Sequence, residues 1–342
     1  MEDKTLVSIC IISYNSADFV LETLESAKEQ GYKHIELIIS DDGSTDATVE
    51  LCKKWLQNNE NRFQRTELIT VETNTGIPAN CNRAVRAARG EWIKLIAADD
   101  ILLKDCITDN MEYIRINSET QILFSAMRPF LVVNGEKNFL PPVKLSQYFL
   151  DLNADQQFIE IIFGKMDGVA PTAFIARRLF EKLGYYDEAF KLAEDYPFWL
   201  KCTANQVRFV SMDKLTVLYR RHDNNAGVVK VINGTIYKDR IRIFKQYLNR
   251  LIANESSRAA FIKYYKTNYF SFIKFCSESD NLELLQNVKK TNKISNLFYF
   301  SVKNYILTFS RNNLISRLLR SICYRLLIKE EKGLFKKHSE II

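Results

Sequence analysis

The first hundred residues alternate between short apolar runs and amphipathic segments, and this alternation constrains the fold more than any other feature. Four apolar runs, at residues 7–12, 35–39, 67–71 and 92–96, are typical of buried β-strands. Apolar residues at helical spacing lie between them. Such alternation predicts an α/β fold, with a Rossmann-like, mostly parallel sheet flanked by helices.

Polar and acidic residues follow three of these runs. Tyr14 comes after the first, the pair Asp41-Asp42 after the second, and the pair Asp99-Asp100 after the fourth. Right-handed crossovers bring the carboxyl ends of parallel strands to one edge of a sheet, where ligands of open α/β sheets bind. We therefore expect all five residues to line a single crevice.

The two acidic pairs suit different chemistry. An aspartate such as Asp42 can accept the ring N–H of a pyrimidine, and the ring of Tyr14 can stack on that base. The carboxylates of Asp99 and Asp100 are hard ligands that suit Mg²⁺ or Mn²⁺. Two simpler interpretations stay open: residues 41–46 as a turn rich in Asp and Ser that caps a helix, and Asp99-Asp100 as a solvated helix start.

Together with other short runs, these residues resemble a family 2 glycosyltransferase. The matching runs in chain order are Ser13-Tyr14-Asn15, residues 40–46, Asn74-Thr75-Gly76, residues 90–93, and Ala98-Asp99-Asp100, with looser matches at 184–190 and 193–200. The resemblance implies a GT-A fold and an inverting transfer of a sugar from a nucleotide-sugar donor. It also implies a donor site formed by Tyr14, Asp41, Asp42 and Asp99, and a divalent ion, Mn²⁺ or Mg²⁺, held by Asp100.

The resemblance assigns the general base to Asp195, with Glu194 beside it in a supporting place. The run Glu194-Asp195-Tyr196-Pro197 also has the acidic residues and the proline that are typical of the first turn of a helix. A plain helix start is therefore the alternative interpretation of Asp195.

His222 lies in a Tyr-Arg-x-His segment that members of the family often carry, and it is expected to complete the metal shell or to touch the diphosphate. A solvated loop histidine is the alternative. The neighbouring Arg220 and Arg221 could pair with phosphate instead. One departure concerns the arginine that many relatives carry after the Asn-x-Gly turn. Cys81 stands there, so any contact of that arginine must be absent or come from Arg83.

Charge divides the chain. From residue 231 onward there are 21 Lys or Arg against 8 Asp or Glu, a net of +13, so the first 230 residues carry 7 − 13 = −6. We expect residues 1–105 to form the nucleotide-sugar half of the GT-A domain, 106–228 the acceptor half, and 229–342 a basic helical extension. That extension suits either contact with anionic lipid or packing on the catalytic body.

These patterns predict a metal-dependent hexosyltransferase of surface polysaccharide synthesis. The expected donor is a UDP-sugar, with dTDP-sugars as an alternative because thymine offers the same ring N–H, and the expected acceptor is a glycan or a lipid-linked glycan. Seven scattered cysteines without C-x-x-C spacing favour the cytoplasm. The basic extension leaves a peripheral place on the inner face of the cell membrane open. The alternatives are a sugar-nucleotidyltransferase and a catalytically silent membrane-associated scaffold; no nucleic-acid partner is expected.

Overall fold

The computed structural model describes residues 4–162, 166, 169–190, 194–222, 243, 246 and 247 of the 342-residue chain. The described part contains nine strands in one sheet. They are β1 (Val7–Ser13), β2 (Ile35–Asp41), β3 (Arg65–Thr70), β4 (Trp92–Ala97), β5 (Ile101–Leu102), β6 (Ile122–Val133), β7 (Glu136–Phe139), β8 (Phe174–Ala176) and β9 (Val210–Arg220).

Eight α-helices accompany the strands in the described part. They are α1 (Val20–Lys28), α2 (Thr48–Asn59), α3 (Ile77–Ala87), α4 (Cys106–Ile116), α5 (Gln147–Asp151), α6 (Ala154–Ile162), α7 (Arg177–Leu183) and α8 (Asp195–Ala204). The first four strands and the helices between them begin and end within a few residues of their predicted positions. The predicted helix start at Glu194-Asp195 is also confirmed, because α8 begins at Asp195.

The first half of the sheet is parallel. β1 pairs with β2 and β4, and β2 pairs with β3, which gives the order β3-β2-β1-β4. Every residue of β2 is buried, as expected for a strand covered on both faces. The chain moves outward from β1 to β3 and then crosses back to β4. The strand order therefore reverses between β1 and β4, and open α/β sheets bind ligands at such a reversal.

The second half makes the sheet mixed rather than mostly parallel. β8 runs antiparallel to both β4 and β6, while β9 runs parallel to β6 and antiparallel to β5. The α/β class is confirmed, but parallel pairing dominates only among the first four strands. Short β-like runs at residues 121–124, 130–133, 207–211 and 216–219 predict two short strands in the region of β6 and two in that of β9. Each pair of runs is one long strand, interrupted in its pairing by shifts in register near Ala126.

A buried carboxylate joins the strands at the opposite edge of the sheet. Glu36 of β2 accepts hydrogen bonds from the Ser8 hydroxyl at 2.6 Å, from the Gly90 amide at 2.9 Å and from Arg65 at 2.9 Å. Gly90 itself packs so tightly that an added Cβ would lie 2.5 Å from Ser8 Oγ. Burial raises the pKa of Glu36, but these hydrogen bonds outweigh it and hold the pKa below its ordinary value.

The expected division at residues 105 and 228 stays a prediction. Of the basic extension, only Ile243, Gln246 and Tyr247 lie within the described residues, and the Tyr247 ring packs edge-on against Phe158 of α6. Neither alternative for that extension is tested. Among the described residues, no helix is both long and apolar enough to cross a membrane.

We expect Glu36→Gln to lower the free energy of unfolding by about 3 kcal/mol, because it leaves the buried Arg65 contact without its charge. Glu67→Gln is the matched control. Glu67 also pairs with Arg65, but its side chain is 38% exposed, so its loss should cost under about 1 kcal/mol. Urea unfolding of both variants measures the difference, and equal losses would contradict the role given to Glu36.

Candidate active site

Two loops at the carboxyl edge of the sheet are joined by side-chain hydrogen bonds. After β1, Asn15 takes a left-handed backbone (φ 48°), its amide donates to Ser44 Oγ at 2.8 Å, and its side chain accepts from the Thr45 amide at 2.9 Å. Asp46 accepts from the Ala17 amide at 3.1 Å. These contacts hold the loop after β1 against the loop after β2 and leave the ring of Tyr14 47% exposed between them.

Asp41 is turned into the protein. It is 1% exposed, and its carboxylate accepts from Ser13 Oγ at 2.8 Å and from both the amide and the hydroxyl of Ser44. From the sequence, Ser44 and Thr45 are both candidates for the cap of α2, because their hydroxyls can accept from the first backbone amides of a helix. Instead, Ser44 is bonded to Asp41, and Asp46 accepts from the Thr48 amide at the start of that helix.

Asp42 is also buried, with 2% of its surface exposed, but it faces the Asn74-Thr75-Gly76 turn. It accepts from the Thr75 hydroxyl at 2.6 Å, the Gly76 amide at 2.9 Å and Arg83 Nη2 at 2.6 Å. Burial acts to raise the pKa of Asp42, but the hydrogen bonds from Thr75, Arg83 and Gly76 outweigh it and lower the pKa. Asp42 is therefore held as a carboxylate.

Arg83 provides the arginine contact that the substitution by Cys81 left in question. Besides Asp42, it donates to Thr75 Oγ1 at 2.8 Å and to Asn80 Oδ1 at 3.1 Å. Cys81 is fully buried. The guanidinium that contacts Asp42 thus comes from Arg83, two residues after Cys81 in α3.

Pairing between β5 and β9 brings the second acidic pair to His222. β5 follows Asp100 directly, and its two residues pair with Val217 and Leu218 of β9. The end of β9 therefore lies beside the acidic pair, where His222 Nε2 is 2.9 Å from Asp99 Oδ2. Both side chains are partly exposed, at 24% and 19%.

Asp100 lies deeper than Asp99. It is 1% exposed, and its Oδ1 accepts from the Arg220 amide at 2.9 Å. Burial, followed by the charge of Asp99, raises the pKa of Asp100 well above its ordinary value, with Arg220 and the buried Lys94 opposing the shift only in part. The two members of the pair therefore have different environments.

The Asp99–His222 pair fits part of a divalent-cation site. Mg²⁺ and its analogues are usually held by one or two carboxylates together with substrate phosphates, rather than by a full protein cage. No group of three His, Cys, Asp or Glu side chains that could hold a metal occurs in the part of the chain the structure describes. The resemblance assigns the metal to Asp100, but Asp100 is 1% exposed and accepts from the Arg220 amide. A metal here would meet the more exposed Asp99 and His222 together with phosphate oxygens, with Asp100 beside them.

The two arginines after β9 differ in their surroundings. Arg220 is 5% exposed and its side chain is directed at Glu22 and the Asp99 carbonyl. Arg221 is exposed, and its amide donates to the Phe130 carbonyl at 2.8 Å. Of the two, only Arg221 presents its side chain to solvent.

Asp195 begins α8, and its Oδ1 accepts from the Tyr196 amide at 2.7 Å. It and Glu194 are half-buried. Burial raises the pKa of Tyr219 to about 12, and the charges of Asp100, Asp99 and Asp195 add to that shift. Tyr219 therefore lies within electrostatic range of both the second acidic pair and Asp195, although these are far apart in sequence.

The sequence matches the family model described as glycosyl transferase family 2 over residues 8–184. The chain belongs to glycosyltransferase family 2. Membership favours sugar transfer over the nucleotidyltransferase and the scaffold.

Two relatives of this family 2 glycosyltransferase match over most of their own length. An uncharacterized glycosyltransferase of Methanocaldococcus jannaschii is 29% identical over 67% of this chain and 76% of the relative. The UDP-Glc:alpha-D-GlcNAc-diphosphoundecaprenol beta-1,3-glucosyltransferase WfaP of Escherichia coli is 26% identical over 66% of this chain and 81% of the relative. Other matches are shorter and span, for example, 58% of an uncharacterized glycosyltransferase of Rickettsia typhi, which is 25% identical over 57% of this chain.

Solved structures share the fold. S. aureus TarS 1–349 in complex with UDP matches with a TM-score of 0.51 and 22% identity over 87% of this chain and 90% of that one. The mannosyltransferase PcManGT of Pyrobaculum calidifontis, in complex with GDP-Man and Mn²⁺, matches with a TM-score of 0.51 and 15% identity. The match covers 89% of this chain and 86% of that one.

Four residues in or beside the site were missed or undervalued by the sequence analysis. They are Phe19, Glu22, Arg83 and Tyr219. Phe19 and Glu22 belong to the start of α1 and carry no motif, so nothing in the sequence distinguishes them from ordinary helix residues. Tyr219 was quoted only as part of the Tyr-Arg-x-His segment, a signal that could have singled it out.

We expect Arg83→Met to lower the free energy of unfolding at pH 7 by about 3 kcal/mol, because a buried carboxylate loses its ion-pair partner. The pKa of Asp42 is lowered by folding, so its stabilisation is present above the unfolded pKa of about 3.9 and is lost as the pH falls through the folded pKa. The difference between wild type and variant should therefore shrink below about pH 4.

Urea unfolding between pH 3 and 7 measures this difference. Arg86→Met is the matched control, since Arg86 lies one turn along α3, is half exposed, and pairs only at 3.5 Å with Glu188. It should change stability by less than about 1 kcal/mol at any pH. A pH-independent loss in Arg83→Met would argue against the ion pair.

Proposed function

We propose that the protein is an inverting, metal-dependent glycosyltransferase that moves a hexose from a UDP-sugar to a glycan or lipid-linked acceptor. The observation that carries the proposal is the Asp99–His222 pair, 2.9 Å apart at the carboxyl edge of β4, where strand order reverses. That is the place where a nucleotide diphosphate would meet a sheet of this topology.

The donor base would bind between Tyr14 and Asp42. The exposed ring of Tyr14 offers a stacking surface. Asp42 is a carboxylate and would accept a hydrogen bond from the ring N–H of the base, which favours uracil or thymine. The Thr75 hydroxyl now donates to Asp42 Oδ1 at 2.6 Å, and it would have to rotate away to admit the base. Asp41 would act through its hydrogen bonds to Ser13 and Ser44, which hold the loops that carry Tyr14 and Asp42.

The diphosphate end would lie at Asp99, Asp100 and His222. Asp99 would contact the ribose or the metal, and His222 would complete the metal shell. A bound Mn²⁺ or Mg²⁺ would supply charge neutralisation for the departing diphosphate. The mannosyltransferase PcManGT, which shares the fold and was solved with GDP-Man and Mn²⁺, supports this assignment.

Asp195 would act as the general base, with Glu194 beside it. It would take the proton from the acceptor hydroxyl as that oxygen bonds to the anomeric carbon of the sugar. The bond from the anomeric carbon to the diphosphate oxygen breaks in the same step, so the configuration inverts and UDP leaves.

The names of relatives suggest the acceptor class. WfaP of E. coli transfers from UDP-Glc to a GlcNAc-diphosphoundecaprenol, a lipid-linked acceptor. An acceptor of this kind, in surface polysaccharide synthesis, is what we propose for this chain.

Asp195→Asn should reduce transfer by about 100-fold or more, because the variant can no longer accept the hydroxyl proton. UDP release from UDP-glucose or UDP-N-acetylglucosamine, with GlcNAc-diphosphoundecaprenol as acceptor, measures the loss. Stabilisation by UDP should be unchanged. Asp213→Asn, at an exposed site, is the control and should transfer normally. Normal turnover in Asp195→Asn would remove the base assignment.

Removing divalent ions with EDTA should abolish transfer, and Mn²⁺ or Mg²⁺ should restore it. A thermal-shift series with UDP, dTDP and GDP, each with and without Mn²⁺, tests the donor site separately from turnover. UDP at a hundredfold its dissociation constant would stabilise the protein by about 2.7 kcal/mol. Full activity without metal would refute the metal site, and a preference for GDP would refute the pyrimidine assignment.

A further inference from the structure

Arg220 is a buried arginine in contact with both members of the second acidic pair. Its Nε donates to the Asp99 carbonyl at 2.8 Å, and its amide donates to Asp100 Oδ1 at 2.9 Å. One residue therefore fixes the main chain of Asp99 and the side chain of Asp100 at the same time. Both contacts cross from β9 to the segment between β4 and β5.

The guanidinium lies between two aromatic rings. Its central carbon is 4.9 Å from the centre of the Phe19 ring and 4.7 Å from that of Phe130. The Phe19 ring also stacks on His222, with centroids 5.0 Å apart and an angle of 26° between the planes. Phe19 thus touches both Arg220 and the histidine that pairs with Asp99.

Glu22 supplies the countercharge for this buried cation. It forms an ion pair with Arg220 Nη2 and a second with Lys137 of β7. Burial acts to raise the pKa of Glu22, but hydrogen bonds from Lys137 and Arg220 outweigh it and lower the pKa. An arginine with a charged partner, two rings and a carbonyl around it has its planar group fixed in place.

We infer that Arg220 is a positioning residue for the metal end of the donor site, which it serves through Asp99, Asp100 and Phe19 rather than by binding phosphate. Its partners orient the Asp99 carboxylate and the His222 ring toward one another. The inference rests on the proposed function, since it assigns a role within the same donor site. Residues that orient metal ligands typically change metal affinity by 10- to 100-fold when replaced.

Lysine cannot replace arginine here. A guanidinium donates from Nε to the carbonyl and from Nη2 to the carboxylate, while its two flat faces lie against the rings. An ammonium has a single nitrogen and no flat face. Arg220→Lys therefore preserves the charge that Glu22 needs and removes the geometry.

The test measures Mn²⁺ binding to the full chain by its additional thermal shift in the presence of saturating UDP. In Arg220→Lys we expect the shift from UDP alone to persist, because the base site is elsewhere. The Mn²⁺ concentration for the half-maximal additional shift should rise by about 10-fold or more. Phe19→Leu should also raise the Mn²⁺ concentration for the half-maximal additional shift. If Arg220→Lys does not fold, Phe19→Leu provides the test instead.

Lys144→Gln is the matched control. Lys144 is an exposed lysine that pairs with Asp213, away from Glu22 and Phe130, so its Mn²⁺ dependence should equal that of the wild type. If Arg220→Lys melts at a lower temperature but keeps the wild-type Mn²⁺ dependence, the role of Arg220 is purely structural and the inference is overturned. A wild-type Mn²⁺ dependence in Phe19→Leu would also overturn it. If the wild type itself gains nothing from UDP and Mn²⁺, the proposed donor site fails, and the inference fails with it.

Discussion

The pairing of β5 with β9 is the contact on which the arrangement of the active site depends. β5 has only two residues, yet its ladder with Val217 and Leu218 brings the end of β9 against the Asp99-Asp100 segment. The same contact places His222 next to Asp99. Loop closure over so long a stretch of chain costs entropy, and the two hydrogen bonds from Arg220 to the acidic segment help to offset that cost.

Buried carboxylates at one sheet edge differ in function because they differ in partners. Asp41 and Asp42 have their oxygens directed at protein donors, and Asp100 is buried against a backbone amide. Asp99 remains partly exposed beside a partly exposed histidine. A buried carboxylate without a hydrogen-bond partner is costly, so the inward-facing carboxylates are fixed by their donors. At the partly exposed Asp99, by contrast, a ligand can exchange with water. This contrast distinguishes the three carboxylates that the protein holds from Asp99, which is partly open to solvent.

Local patterns allowed the first half of the fold to be predicted. The apolar runs and helical spacings of residues 7–97 reflect short-range order, and the observed elements follow them closely. Residues 106–222 were predicted less well because their strands pair across long sequence distances and in both directions. Two predicted runs merged into β6, where the pairing partner rather than the local sequence decides how far a strand extends.

By itself, the sequence determined that Tyr14, Asp42 and Asp99 follow strands of one parallel sheet, because alternating strands and helices with right-handed crossovers bring those ends together. It also placed Asp195 at a helix start. Only the tertiary structure decided that Arg83 contacts Asp42, and that Arg220 is enclosed by Phe19, Phe130 and Glu22. The burial and the partners of a charged side chain depend on segments distant in sequence, and no local pattern records which segments those are.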